Sequence, residues 1–255
     1  MTPTSASTPA SATRLPGRLR ESLHAAPTAA LSTELRKRGL EHTVIEGLTA
    51  LNPGEKLVGV ARTLRFIPLR EDLFAEHAGG YNAQKRLFDS VGEGEVIVIE
   101  ARGETGSGTL GDILAIRART RGAAGIVSDG GVRDWDAVAG TGLPVYAAGP
   151  HPSVLGRRHV PWDFDVTVAC GGVAIQPGDI LVGDADGVVV IPPGLAQEVA
   201  DAALAQEDKD AWIAARVAEG HPLVGLFPMN EEWKARYARE VDSSRDASAA
   251  AGEGA

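Results

Sequence analysis

The run from Glu95 to Asp134 constrains the fold more than any other part of the chain. It reads as strand, glycine-rich loop, helix, strand and loop in immediate succession. Glu95-Val-Ile-Val-Ile-Glu100 is a compact apolar segment bounded by charge, the signature of a buried strand. Gly106, Gly108 and Gly111 open the loop that follows. Gly111 to Arg121 reads as a helix stopped by Gly122, and Gly125-Ile-Val-Ser-Asp129 is the next short strand. The charged residues Asp112, Arg133 and Asp134 fall where these elements end.

The remaining pattern extends this unit into an α/β domain. Residues 28–40 suit a short helix, with Ser32 or Thr33 as cap and Gly39 as stop. Residues 57–67 alternate as a strand, and 71–90 form a polar helical region broken at Gly79-Gly80. Short strands are expected at 143–147, 166–169, 173–175, 179–182 and 187–191, punctuated by Gly171-Gly172, Pro177-Gly178 and Asp186-Gly187. A long amphipathic helix runs from Leu195 to about Gly220, with a final helix near 231–240. This order predicts an α/β fold with a mixed, partly closed sheet flanked by helices. Residues 1–20 and 243–255 carry few large apolar groups and are expected as disordered tails. Residues 1–20 also have the arginine-containing, acid-free composition of a transit peptide, the less common reading. Between the tails, 21–242 is expected as one domain with a C-terminal helical extension.

Bulk properties narrow the partners. The chain has 255 residues, 44% of them apolar and 23% charged, ample for a real core. A net charge of −9 disfavours nucleic acid and anionic membranes as partners but not small anions. No apolar run approaches the roughly 20 residues that span a bilayer. A single cysteine, Cys170, suits a reducing compartment, so a cytoplasmic location is expected.

The chemistry concentrates at the ends of the central unit. Asp112 at a helix start serves the helix dipole in most proteins, but the amides of Ile113 and Leu114 lack intrahelical partners and can hold a carboxylate. Arg133 carries a fork matched to a carboxylate, and Asp134 a hard oxygen ligand. Both can serve one site only from a turn or strand end, which Gly130-Gly131 before them suggests. One or two carboxylates with water suit Mg²⁺ better than Zn²⁺. A competing motif is Gly106-x-Gly108-x-x-Gly111, which matches a dinucleotide fingerprint with Asp129 as ribose acid, although the preceding turn is long. Asp184-Ala-Asp186-Gly187 reads as a hairpin turn, the six histidines show no ligand spacing, and Cys170 reads as a small buried side chain.

Taken together, Gly108-x-x-x-Asp112-x20-Arg133-Asp134 resembles the signature of the RraA-like proteins, which include class II pyruvate aldolases. Further segments carry the likeness: Leu35-x-x-Arg38-Gly39, Thr63 to Asp72, Arg121 to Asp134, Pro177 to Pro192, and Glu219 to Pro228. The last of these is similar to a longer-chain branch described as ribonuclease activity regulators. The resemblance covers roughly residues 28–240 and implies a fold like the phosphohistidine swivelling domain, in trimers or hexamers with sites between subunits. It further implies that Asp134 binds Mg²⁺ or Mn²⁺ and that Asp112 acts on that metal through water. Arg133 would contact substrate, and the amides after the Gly111-Asp112 pair, those of Ile113 and Leu114, would hold a pyruvyl carboxylate. A glutamate from a neighbouring subunit is also implied, with Glu207 as the nearest candidate.

The expected function is metal-dependent cleavage of a 2-oxo acid through a pyruvate enolate, as in 4-hydroxy-4-methyl-2-oxoglutarate aldolase, with oxaloacetate decarboxylation as a companion activity. The alternatives are a non-catalytic regulator of RNase activity, a dehydratase of a 3-deoxy-2-oxo sugar acid, and a dinucleotide-dependent oxidoreductase.

Overall fold

A computed structural model describes residues 14–252 of the chain, with side chains described for 14–241. Residues 1–13 and 253–255, and with them most of the expected N-terminal tail, lie outside the described residues. The chain divides into two compact units, residues 1–203 and 204–255.

The first unit opens with two helices, α1 (Gly17–Ala25) and α2 (Thr28–Lys37), and two short strands, β1 (Val44–Ile45) and β2 (Thr49–Ala50). The long strand β3 (Leu57–Pro68) follows, then α3 (Glu71–His77) and α4 (Ala83–Ser90). Next come β4 (Glu95–Glu100), α5 (Asp112–Thr120), β5 (Gly125–Val132), α6 (Trp135–Gly140) and β6 (Val145–Pro150). Five more strands complete it: β7 (His159–Phe164), β8 (Val168–Cys170), β9 (Val173–Ile175), β10 (Ile180–Asp184) and β11 (Gly187–Ile191). Helix α7 (Ala196–Ala218) runs from the first unit into the second, where α8 (Glu231–Gly252) follows.

The main sheet is mixed, in the order β1-β11-β10-β3-β4-β5-β6-β2, with β7 also paired to β3. Strands β3, β4, β5 and β6 are parallel, and β10, β11, β1, β2 and β7 join antiparallel. Each parallel step needs a crossover, which α3–α4, α5 and α6 supply. The central strands are buried on both faces, so alternate residues enter two cores. Ile97, Ile99 and Ile126 pack with Leu87, Phe88, Ala115 and Val138 on the helical side. Val96, Val98 and Val127 pack with Val168, Ile175 and Leu181 on the other, where the β8–β9 hairpin lies. At about 25 cal/mol per Å² of apolar burial, these two layers are the main stabilising term of the unit.

Four expectations are corrected. Helix α1 begins at Gly17, inside the stretch expected as a tail, because Leu19 and Leu23 are buried. Helix α2 begins at Thr28 after Pro27, so Ser32 and Thr33 are interior and their hydroxyls bond back to the Ala29 carbonyl. Gly39 does end that helix region, at φ 81°. Strand β5, expected to end at Asp129, continues through Gly130-Gly131 to Val132, where the missing side chains admit a neighbouring loop, and Arg133 and Asp134 lie just past the strand end, as expected. Finally, the α8 backbone continues to Gly252, where a C-terminal tail was expected from 243.

In the second unit, Ile213, Leu226 and Met229 are buried against Trp212, Trp233 and Tyr237. Glu240 accepts from the Trp212 indole at 2.9 Å and from Arg236 at 2.8 Å.

Candidate active site

The loops that leave the carboxyl ends of β4, β5 and β6 meet at one edge of the parallel strands, the edge where open α/β sheets carry their ligand sites. Backbone bonds tie the three together. Gly108 bridges Gly131 in parallel fashion, and Thr109 N donates to Gly131 O at 2.7 Å. Arg133 N donates to Leu110 O, and Gly108 N to Ser153 O, both at 2.9 Å. Beneath them lies a buried polar network. Gln84 Nε2 donates to Thr109 O at 2.6 Å, the Thr109 and Ser128 hydroxyls are 3.0 Å apart, and Gly130 N reaches Ser128 Oγ at 3.2 Å.

Glycines make this convergence possible. A Cβ at Gly130 would stand 2.6 Å from both Ala101 Cβ and Thr109 Cγ2, and one at Gly131 would stand 2.9 Å from Ser107 O. A Cβ at Gly111 would fall 2.7 Å from Asp134 Oδ2. The Asp134 carboxylate therefore lies against the start of α5, beside Asp112, while Arg133 lies across Gly108.

Asp134 is held in the left-handed region at φ 54°, an uncommon conformation for a residue with a side chain. It is exposed, and its carboxylate has no hydrogen-bond or ion-pair partner among the described residues. Arg133 Nε is buried without a partner among the described residues. The exposed Asp134 carboxylate is open to solvent, whereas a buried nitrogen without a partner, such as Arg133 Nε, is uncommon in folded proteins. Asp112 Oδ1 accepts from Ile113 N at 2.8 Å, so that amide, expected to be open, is taken. The amides of Asp112 and Leu114 have no acceptor among the described residues and remain directed out of the helix start. Gly111, as the N-cap residue, adds no side chain that would cover them.

The donors are hard oxygens without nearby nitrogen or sulfur ligands. Among the described residues no group of three or more His, Cys, Asp or Glu could hold a metal ion. A carboxylate such as that of Asp134, with water as the remaining ligands, would suit Mg²⁺ or Mn²⁺ better than Zn²⁺, which prefers His and Cys.

Glu207 lies on α7 in the second unit, half-buried and without an ion partner among the described residues. The dinucleotide reading fails on Asp129. That residue is buried, and its carboxylate accepts from the amides of Ala101 and, at 2.9 Å, Gly103. Burial raises its pKa, and those amides oppose the rise. It anchors the loop and offers nothing to a ribose. Asp184 is likewise structural, accepting from Thr28 N and Oγ1 at 2.8 and 2.6 Å at the β10–β11 hairpin.

Sequence comparison agrees with this geometry: the family model RraA-like (Aldolase/RraA) matches residues 28–190. The chain belongs to the RraA-like family. A relative from Halalkalibacterium halodurans, named a putative 4-hydroxy-4-methyl-2-oxoglutarate aldolase, is 35% identical over 161 residues, which is 63% of this chain and 71% of that one. Among solved structures, Streptomyces coelicolor RraAS2, described as an unusual member of the RNase ES inhibitor RraA protein family, is 37% identical. It superposes with a TM-score of 0.72 over 78% of this chain and 97% of that one. An uncharacterized protein from Pseudomonas syringae pv. tomato is 28% identical, with a TM-score of 0.75 over 89% and 100% of the two chains. The RraA-like match ends at residue 190, so all of α7 and α8 lie beyond it. Among the described residues no helix is long and apolar enough to cross a membrane.

Proposed function

We propose that this RraA-like chain is a divalent-metal-dependent lyase that cleaves a 4-hydroxy-2-oxo acid to pyruvate. The observation that carries the reading is the unpaired Asp134 carboxylate against Gly111 at the α5 start, with Arg133 and its orphaned Nε beside it. Asp134 would hold Mg²⁺ or Mn²⁺, with Asp112 on the same side. When bound, the metal supplies Lewis-acid stabilisation of negative charge on the 2-oxo oxygen.

The residues of the chain do the rest. The free amides of Asp112 and Leu114 receive the substrate carboxylate, and Ile113 N joins them when Asp112 turns away. As the C3–C4 bond breaks, its electron pair enters the enolate of the pyruvyl half, and the C4 hydroxyl loses its proton to become a carbonyl. Arg133 places positive charge beside the developing enolate. Asp112 orients the water that carries the proton, which returns to C3 to give pyruvate. Oxaloacetate decarboxylation passes through the same enolate. Ile113 and Ile116, 77% and 53% exposed on α5, offer apolar surface that a neighbouring copy in a trimer or hexamer would cover. Glu207 remains the candidate for a glutamate supplied across that interface.

The test is pyruvate release from 4-hydroxy-4-methyl-2-oxoglutarate and from oxaloacetate, followed with lactate dehydrogenase. Release that is blocked by EDTA, restored by Mg²⁺ or Mn²⁺ and abolished in Asp134→Ala supports the reading. Unchanged turnover in that variant refutes it. The likeness to RraAS2 favours a second reading, a protein that binds and restrains an RNase, and co-purification with RNase without pyruvate release would select it.

A further inference from the structure

At the amino ends of the parallel strands, opposite the candidate active site, lies an open cavity of about 430 Å³. Arg20, Glu21 and His24 line it from α1, and Lys56 from just before β3. Val58 of β3 and Ala124, just before β5, add apolar surface. A cavity of this volume suits a small organic ligand rather than a single ion. Strand β5 is eight residues long, which places about 26 Å between this end of the sheet and the end that carries Arg133 and Asp134. A small ligand cannot reach both.

The polar groups of this cavity keep capacity for a ligand. Earlier in the same stretch, Arg14 pairs with Glu93 at 2.8 Å and Arg18 reaches Asp201 at 4.0 Å. The side chains of Arg20, Glu21 and His24, by contrast, have no hydrogen-bond or ion partner among the described residues. Arg20 and His24 stand one turn apart on the same side of α1, and the buried Leu19 and Leu23 pin that helix to the body. Lys56 is built into the wall, its side chain 15% exposed. Its Nζ donates to Ala26 O at 2.5 Å and to Asp184 Oδ2 at 3.3 Å, which leaves one of three N–H donors for a ligand. Asp184 in turn is engaged by Thr28 N and Oγ1.

We propose that this cavity is a second binding site, for the phosphate monoester of a small hydroxylated molecule such as a sugar or nucleoside. Arg20, His24 and Lys56 converge from two parts of the chain as donors to the phosphate, the guanidinium and ammonium groups supplying charge. A phosphate monoester brings three terminal oxygens and a charge near two, which matches three donor side chains better than a carboxylate does. Glu21 can only accept, so it repels a bare polyanion and suits the hydroxyls of the ester body. Val58 and Ala124 suit its C–H surface. Arg20, Glu21 and His24 precede residue 28, where the RraA-like match begins, so half of this site lies outside the matched family core. The proposal holds whether or not the lyase reading does.

The experiment is titration calorimetry of the full chain with ribose 5-phosphate, AMP, inorganic phosphate and ribose. The two esters are expected to bind with millimolar or lower Kd, inorganic phosphate more weakly and ribose not at all. Arg20→Gln is expected to weaken ester binding about tenfold, the scale of one charge-assisted hydrogen bond. His24→Gln, one turn away, gives an independent second measurement, and an unchanged melting temperature without ligand shows that each variant keeps its fold. Glu21→Gln is expected to weaken the esters but not inorganic phosphate. Tighter binding of AMP assigns the site to nucleotides, and tighter binding of ribose 5-phosphate to sugar phosphates. No binding of either ester, or wild-type affinity in both Arg20→Gln and His24→Gln, overturns the proposal. Inorganic phosphate binding as tightly as the esters overturns it too, leaving an ion site only.

Discussion

The stem of Arg133 occupies the space that a side chain at Gly108 would fill, with Arg133 N 3.1 Å and Cδ 3.1 Å from that point. The contact involves the root of the arginine and its backbone, so a larger residue at 108 cannot be met by a swing of the guanidinium. Gly108→Val is expected to lower pyruvate release at least about a hundredfold, the scale of an ångström-sized misplacement of a reacting group. Steady-state kinetics and a far-ultraviolet circular dichroism spectrum of the variant check this; full activity with a native spectrum would refute it.

Asp134 adopts a backbone conformation that glycine enters freely. Asp134→Gly therefore removes the carboxylate and the local strain together. The expected outcome is loss of metal-dependent turnover with an unchanged or higher melting temperature. In addition, Mn²⁺ should raise the melting temperature of the wild type but not of the variant. Calorimetry with and without Mn²⁺ reads both effects.

The Gln84 amide is the buried clamp on the loop that carries Gly108 and Gly111. Gln84→Leu leaves the Thr109 carbonyl without its donor, which costs about 1–3 kcal/mol of stability. The loosened loop should reduce kcat more than it raises KM. Urea denaturation with kinetics measures the two together, and a variant with wild-type kcat would disconnect this network from the site.

His159 is fully buried, and burial, reinforced by the neighbouring Arg102, lowers its pKa from 6.5 to about 4. Between these values the unfolded chain binds more protons than the folded one, so stability rises with pH across the window and is lost as pH falls from about 6.5 toward 4. The group contributes a loss of roughly 2 kcal/mol between pH 7 and pH 5. His159→Phe, beside Phe66, should flatten that limb. Urea midpoints at pH 7 and pH 5 test it; equal losses in both proteins would assign the limb elsewhere.

The parallel core was legible because its strands are short apolar runs with helices between them. Strand β4 was bounded correctly by its two glutamates, and the break at Gly79-Gly80 separates α3 from α4. Strand β7 was missed because Pro161, Trp162 and Asp163 spoil its alternation, and its place is set by pairing with β3. The end of β5 was set three residues early, at Asp129, because a sequence does not say whether Gly130-Gly131 leaves a strand or admits a close neighbour within it. Asp129 fitted a ribose-binding position by spacing alone, and only the loop amides show that its carboxylate is already engaged. Asp112, Arg133 and Asp134 were readable as a set because they fall at element ends.

Strand β3 is paired with β10 over Leu57–Val60, with β4 over Val60–Arg65 and with β7 over Leu64–Pro68. Three neighbours thus take their register from one strand, β7 with a bulge opposite Arg65 and Phe66. Adding or deleting one residue within it would turn every β3 side chain beyond the change to the opposite face of the sheet. Length variation among homologues should therefore accumulate in the connections and be nearly absent from this strand, making it the fixed ruler against which divergent members can be aligned.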